Sequence, residues 1–438
     1  MGERASRRRS RARDGVTDAT PLSATELAAA IAARRVSSTE AVHAYLERIE
    51  RINPALNAVI HLDPERAFAA AARADRRSPD GRLHGVPMTL KDSHRVAGMP
   101  TIVGNPDASR LPAHRDGFVA SRLRAEGAIV IGKTNVPRDL ADFQTDNPVF
   151  ERTNNPVDLA RTAGGSSGGA AAALAAHLTP IEVGSDIAGS VRLPAAFCGV
   201  IGFKPTFGDI PTIGHVTEPV ARPRGGGVGT LASVGPMART FDDIALLLDI
   251  LAGRAAVPRF DATATRLGVI GSFEGVPVEG SVANAIVQVV GEARRNGTFV
   301  EHVAPPDPRD GHRTWVELHT AAQKGRVSSG VRQRQAHHRA AWEKLLTTHD
   351  AVLLPSVMCA AFTHRPTGAP IEVDGQPIGY WRLSAYLEPF NLTGLPAITF
   401  PVGTDASGLP IGLQLVARAG RDRWLVAAAA WLGALVAS

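Results

Sequence analysis

Cysteine is scarce: the 438 residues hold only Cys198 and Cys359. Two thiols cannot staple a chain of this size. Such scarcity fits a reducing compartment, and a cytoplasmic location is expected. Aromatic residues make up only 5% and do not interleave with the basic ones. The net charge of +6 is concentrated at one end, where Met1–Asp14 carries six arginines against Glu3 and Asp14. That surplus of four leaves two for the rest of the chain, so no basic footprint remains and no nucleic-acid partner is expected. No run reaches the ~18 uncharged apolar residues that a membrane helix requires, so no membrane association is expected. Residues 1–18 read as a disordered, Arg- and Ser-rich extension; a transit peptide shares that composition, but no unbroken apolar segment follows, as secretion would require. His337 and His338 are adjacent, and on a helix they point about 100° apart, so they read as a surface pair. No other His, Cys or Asp spacing suggests a metal site, and no metal or organic cofactor is expected.

With 44% apolar and 21% charged residues, there is ample material for a core. Ser23 to Glu26 opens a helix, and Ser37 to Glu40 fits a capping box for a second helix, which Pro54 should end. A third helix is expected near Pro64–Ala74, and short strands at Met88–Asp92 and Ala128–Ile131. Further on, Phe241–Leu251, Val282–Arg295 and Arg423–Leu435 read as helices, and Arg266–Ile270, Phe299–Val303 and Asp350–Pro355 as strands. Gly225–Gly229 reads as a loop. The alternation implies βαβ units rather than an antiparallel barrel.

Two local patterns match familiar motifs in letters but not in context. Gly127 to Thr134 fits a phosphate-binding loop, yet its middle, Ala128–Ile131, is itself an apolar strand run, so Lys133 is assigned to structure. Gly164-Gly-Ser166-Ser-Gly168 fits a nucleophile elbow, but the preceding NNPVDLARTA is turn-like where a strand is required. A Ser-His-Asp arrangement built on Ser166 and a distant histidine such as His302 is therefore disfavoured.

The richest chemistry lies between Arg161 and Thr206, where two small-residue clusters, GGSSGG (Gly164–Gly169) and SDIAGS (Ser185–Ser190), flank an alanine-rich helical run and the strand Pro180–Gly184. Glycine lets backbone N–H groups approach a ligand closely. After that strand the chain passes through Asp186 into Ser190, and consecutive N–H groups of Ile187, Ala188, Gly189 and Ser190 face one spot beside a serine hydroxyl. That is the requirement for an oxyanion hole. Serine needs a base, and with no histidine nearby a buried, neutral lysine is the natural candidate.

These segments resemble the amidase signature family. GVPMTLKDS (Gly85–Ser93), GKTN (Gly132–Asn135), GGSSGG, SDIAGSVR (Ser185–Arg192), FCG followed by GFKPT (Phe197–Thr206), GPMART (Gly235–Thr240) and NLTGLPA (Asn391–Ala397) all occur in family order. The resemblance runs from about Pro21 to the C-terminus. It implies one α/β/α domain over residues 19–438, with a mixed sheet covered by helices on both faces. It further implies a Ser–cisSer–Lys triad of Ser190 as nucleophile, Ser166 as bridging serine and Lys91 as base. Ser167 would support that network, and Asp186 and Arg192 would hold the loop in shape. The implied reaction is hydrolysis of a small-molecule carboxylic amide through a seryl acyl-enzyme; a homodimer is compatible with it. Within the family the alternative is the glutaminase-type subunit of a tRNA-dependent amidotransferase, and outside it a catalytically silent binding protein on the same fold.

The chain departs from the family pattern at Ala188 and Ala163, where glycine and proline are usual. If the backbone at 188 requires a positive φ, Ala188 is strained. The stretch between Arg295 and Asp350 is shorter than is common, which implies a more open substrate site. Cys198, in apolar AAFCGV, reads as core.

Overall fold

The computed structural model describes residues 22–216, 231–253 and 259–436; the extension at 1–18 and the Gly225–Gly229 loop lie outside them. The chain begins with α1 (Ala24–Ala32) and α2 (Ser38–Leu56). Each is opened by a serine whose side chain accepts from the N–H three residues on, while Glu26 or Glu40 takes the serine's own N–H. Pro54 does not end α2. It sits in the last turn, and the helix runs to Leu56. The end is set instead by Asn53, whose Oδ1 accepts from the N–H groups of Ala58 and Val59 at 2.9 and 2.8 Å, and by Asn57 in the left-handed conformation.

A small sheet follows, built from β1 (Val59–Leu62), α3 (Pro64–Asp75), β2 (Pro87–Lys91), α4 (Phe118–Ala125) and β3 (Ile129–Thr134). Its strand order is β1-β3-β2, with β1 antiparallel and β2 parallel to β3. Both β2 and β3 are buried along their whole length. Gly132, Lys133 and Thr134 belong to β3, so the phosphate-loop pattern is a strand. Lys133 Nζ is spent on Asp92 Oδ1 at 2.7 Å, the carbonyl of Pro100 at 2.8 Å and Thr101 Oγ1 at 2.9 Å.

The large sheet is assembled from the rest. In chain order come α5 (Gly168–Ala175), β4 (Ile181–Asp186), α6 (Arg192–Cys198), β5 (Ile201–Lys204), β6 (Ser233–Ala238) and α7 (Phe241–Ala252). Then follow β7 (Arg266–Val269), α8 (Gly280–Arg295), β8 (Phe299–His302), α9 (Pro308–Gln323), α10 (Ser329–Thr348) and β9 (Ala351–Pro355). The hairpin of β10 (Ile371–Val373) and β11 (Gln376–Ile378) precedes α11 (Glu388–Thr393), β12 (Ala397–Thr404), β13 (Pro410–Ala417) and α12 (Asp422–Val436). The eight strands lie in the order β4-β6-β5-β12-β13-β9-β7-β8. Pairing is antiparallel from β4 to β9 and parallel for β9/β7 and β7/β8, so within this sheet the expected βαβ geometry is confined to one end, while β2–α4–β3 supplies it in the small sheet.

Side-chain alternation shows why helices must cover both faces. In β9, Ala351 and Leu353 join one apolar cluster, with α2, α7, α8 and α12, whereas Val352 and Leu354 join another, with α6 and Trp342 of α10. Neither face of the sheet is left for water. His338 is buried and bonds Asp310 Oδ2 at 2.9 Å, while His337 is exposed. The two histidines thus face different ways, as adjacent helical residues must, but only one belongs to the surface. His302 lies on β8, at the edge of the sheet opposite β4. Among the described residues no helix is long and apolar enough to cross a membrane.

Candidate active site

The candidate site lies where the two sheets meet. β4 of the large sheet is tied to the small one through Glu182, whose Oε1 accepts from Thr89 Oγ1 at 2.7 Å and Thr134 Oγ1 at 3.0 Å. Thr179 Oγ1 accepts from the Thr89 N–H at 3.1 Å. This docking carries Lys91, the last residue of β2, beneath the two serine clusters. Its side chain is fully buried. Nζ lies 2.8 Å from Ser166 Oγ, 3.0 Å from Ser185 Oγ and 3.3 Å from the Ser185 carbonyl.

Burial disfavours the ammonium form and brings the Lys91 amine down to about 7, against the pull of Asp186 and Glu182. Glu182 is pushed the opposite way by the same burial, up to about 7, although hydrogen bonds from Thr89, Thr134 and the backbone of Val183 and Lys91 favour its charge. Two buried imidazoles, His94 and His215, stand nearby with ring centroids 5.1 Å apart. Burial, together with the charges of Lys91 and Lys133, takes His94 down to about 3, which makes it a poor base.

The Gly165–Ser166 peptide bond is cis. Thr145 holds the turn from the outside: its Oγ1 donates to the Gly164 carbonyl at 2.9 Å and accepts from Gly168 N–H at 3.2 Å. No strand precedes Ser166, in keeping with the rejection of a nucleophile elbow. The next residue, Ser167, links the two clusters through its N–H, which donates to the Ser190 carbonyl at 3.1 Å. Its hydroxyl, expected to join the network, is buried without a hydrogen-bond partner among the described residues.

Between β4 and α6 the backbone turns sharply. Gly189 has φ of +105°, and a Cβ there would meet Leu387 Cδ1 at 2.2 Å, so only glycine fits. The left-handed conformation considered for 188 falls on 189 instead: Ala188 has no positive φ, so that source of strain is absent. Of the four N–H groups expected to form an oxyanion hole, one is engaged elsewhere. Gly189 N–H donates to Asp186 Oδ1 at 2.8 Å and is turned away. No hydrogen bond among the described residues occupies the N–H of Ile187, Ala188 or Ser190.

Asp186 and Arg192 pair within this turn. Asp186 also accepts from Val191 N–H at 3.1 Å. Arg192 holds its carboxyl well below the usual carboxylate range, although burial opposes this. Asn391 of α11 donates to Asp186 Oδ1 at 3.0 Å and to its carbonyl at 2.9 Å. Cys198 is core: its Sγ lies 3.4 Å from the Ala163 carbonyl, and burial pushes the thiol up.

Sequence reasoning missed Ser185, Glu182, Asn391 and Trp315, whose indole Nε1 donates to the Ile187 carbonyl at 3.1 Å. Ser185 and Asn391 lie inside the family motifs, a usable signal. Nothing local marks Trp315. A groove of about 1020 Å³ elsewhere, lined by residues such as His43, Phe68 and Phe150, includes none of these side chains.

Residues 40–331 and 313–426 match the profile of the family described as Amidase. The chain is 33% identical to an acylamidase of Rhodococcus erythropolis, over 93% of this chain and 94% of that protein. It is 30% identical to one component of the glutamyl-tRNA(Gln) amidotransferase of Gloeobacter violaceus, over 92% and 94%. Among solved structures, 6-aminohexanoate cyclic dimer hydrolase in complex with its substrate superposes with a TM-score of 0.80 at 26% identity, covering 95% of this chain and 97% of that one. With a family match over most of its length, the same fold, and the lysine and both serine clusters at one junction, the chain belongs to the amidase signature family, enzymes that hydrolyse the carbon–nitrogen bond of amides.

Proposed function

We propose that this amidase cleaves a small carboxylic amide through an acyl-enzyme on Ser190, with Ser166 and Lys91 relaying the proton. The observation that carries this reading is the 2.8 Å contact between a buried, depressed-pKa Lys91 amine and Ser166 Oγ. A neutral amine keeps one lone pair, and the Ser166 hydroxyl can direct its proton there while the two amine N–H groups serve Ser185. Ser190 Oγ attacks the amide carbon and gives its proton to Ser166 Oγ as the proton of Ser166 moves to Lys91 Nζ. The carbonyl electrons move onto oxygen, opposite the N–H groups of Ile187, Ala188 and Ser190. When the intermediate collapses, the C–N bond breaks and the leaving nitrogen takes a proton from Ser166, which is refilled from Lys91. Water then adds to the seryl ester and yields its proton along the same route. The C–O bond breaks, Ser190 recovers its proton, and the acid departs.

The free, buried state of both cysteines supports a reducing, cytoplasmic setting. The test is Ser190→Ala, which should lower kcat by at least ~10³ with the fold intact. Mass spectrometry after a fluorophosphonate should find the adduct on Ser190; an adduct on Ser166 overturns the reading. The amidotransferase component to which the chain is similar supports a second reading, release of ammonia to a partner protein. Co-purification of such a partner separates it from free-standing hydrolysis.

A further inference from the structure

The turn from Asp186 to Ser190 is held almost entirely by its carbonyls. In a trans peptide unit the C=O and the N–H point in opposite directions across one rigid plane, so whatever grips the oxygen aims the hydrogen. Asn391 Nδ2 grips the Asp186 oxygen at 2.9 Å, which sets the Ile187 N–H. Trp315 Nε1 grips the Ile187 oxygen at 3.1 Å, which sets the Ala188 N–H. Leu193 N–H grips the Gly189 oxygen at 2.7 Å, which sets the Ser190 N–H. The unit between Ala188 and Gly189 is the exception, anchored by its N–H on Asp186. The three N–H groups left without partners among the described residues are those whose peptide oxygens are gripped.

Two of these grips come with the local framework. Leu193 belongs to α6, and Asn391 is locked into the Asp186–Arg192 pair. Trp315 comes from neither. It projects from α9, and no other group among the described residues bonds the Ile187 oxygen. Its ring is stacked on His319 at 5.0 Å between centroids and 8° between planes. One turn earlier on α9, His312 Nδ1 lies 2.5 Å from Oε1 of the buried Glu388, on the same short helix as Asn391. The helices that deliver Trp315 and Asn391 are thereby registered against each other.

Resting on Ser190 as nucleophile, we propose that Trp315 is a positioning residue for the oxyanion hole: its indole N–H keeps the Ile187–Ala188 peptide from turning its carbonyl toward the developing oxyanion. Charge appears on that oxygen only as the transition state forms, so the effect belongs in kcat and not in substrate binding.

The experiment is Trp315→Phe, which retains a ring against His319 and deletes the donor, assayed on one amide that the wild type turns over. The expected result is a fall in kcat of about ten- to a hundredfold with KM within about threefold. Affinity for a boronate that forms a tetrahedral adduct on Ser190 should weaken in parallel, and affinity for the carboxylic acid product should not change. Normal kcat and boronate affinity in the folded variant overturn the proposal, as does a loss carried mainly by KM. If Trp315→Phe does not fold, benzothienylalanine at position 315, with sulfur in place of the N–H and the same shape, gives the same reading. Fluorophosphonate labelling of the wild type keeps the two levels apart. Labelling at Ser190 with a normal Trp315→Phe rate refutes only the positioning role, whereas absence of labelling at Ser190 refutes the nucleophile and this proposal together.

Discussion

Arg192 holds Asp186 from two directions, Nε 3.0 Å from Oδ2 and Nη2 2.9 Å from Oδ1, and neither side chain is exposed to solvent. Two further guanidinium hydrogens reach Asn391 Oδ1 at 2.7 Å and Gln414 Oε1 at 3.1 Å. The fork therefore joins the turn before Ser190 to α11 and β13 in one network. Replacing Arg192 by methionine leaves a buried carboxylate without its counter-charge. A loss of about 3–5 kcal/mol in urea unfolding is expected, with Arg192→Lys intermediate because an ammonium cannot reproduce the planar fork. An Arg192→Met protein as stable as the wild type would show the pair to be dispensable.

The Lys91 amine supplies the second prediction. Its pKa is lowered to about 7, and only the neutral form accepts a proton. The active fraction is therefore nearly complete above that value and declines as pH falls through it. kcat/KM should drop about tenfold per unit at lower pH, with one group titrating. Lys91→Ala should abolish this limb with most of the activity, and Lys91→Arg should not restore it, because guanidinium stays charged. Ser185→Ala removes a partner that favours the ammonium form, so it should move the limb to lower pH. A pH–rate profile of the four proteins checks this. An unchanged acidic limb in an active Lys91→Ala enzyme would exclude the lysine as base.

Lys133 tests the phosphate-loop resemblance. Its ammonium neutralises Asp92, whose other oxygen accepts from the N–H groups of Ile102 and Val103 at 3.1 and 2.7 Å. Lys133→Ala should destabilise the protein by about 3–5 kcal/mol, while the folded fraction keeps hydrolysis within about tenfold of wild type. ATP should leave the Tm of the wild type unmoved, since a ligand stabilises only a state that binds it. A clear ATP-dependent rise would restore the nucleotide reading.

Local chemistry is legible along the chain, and long-range pairing is not. The caps at Ser23 and Ser37 depend on residues three apart, so the letters carry them. The strand β6, Ser233–Ala238, is hidden because its glycine and proline advertise a turn. Pro236 is accommodated there because β6 pairs with β5 only at Met237 and Ala238. At the site, family spacing names Lys91, Ser166 and Ser190, and the structure brings Lys91 and Ser166 into contact across 75 positions. Ser185 escapes notice because its role depends on which face of β4 meets β2. Trp315 escapes because its partner lies 128 positions away.

The docking of β2 against β4 has one more consequence. Lys91 arrives on one sheet and Ser190 just after a strand of the other, and what fastens them at this point is a short row of threonine hydroxyls around Glu182. In the proposed relay, catalytic competence is thus a property of the seam and not of either layer. Small slippage along the seam, too slight to alter secondary structure, would separate lysine from serine and silence the enzyme well before it unfolds.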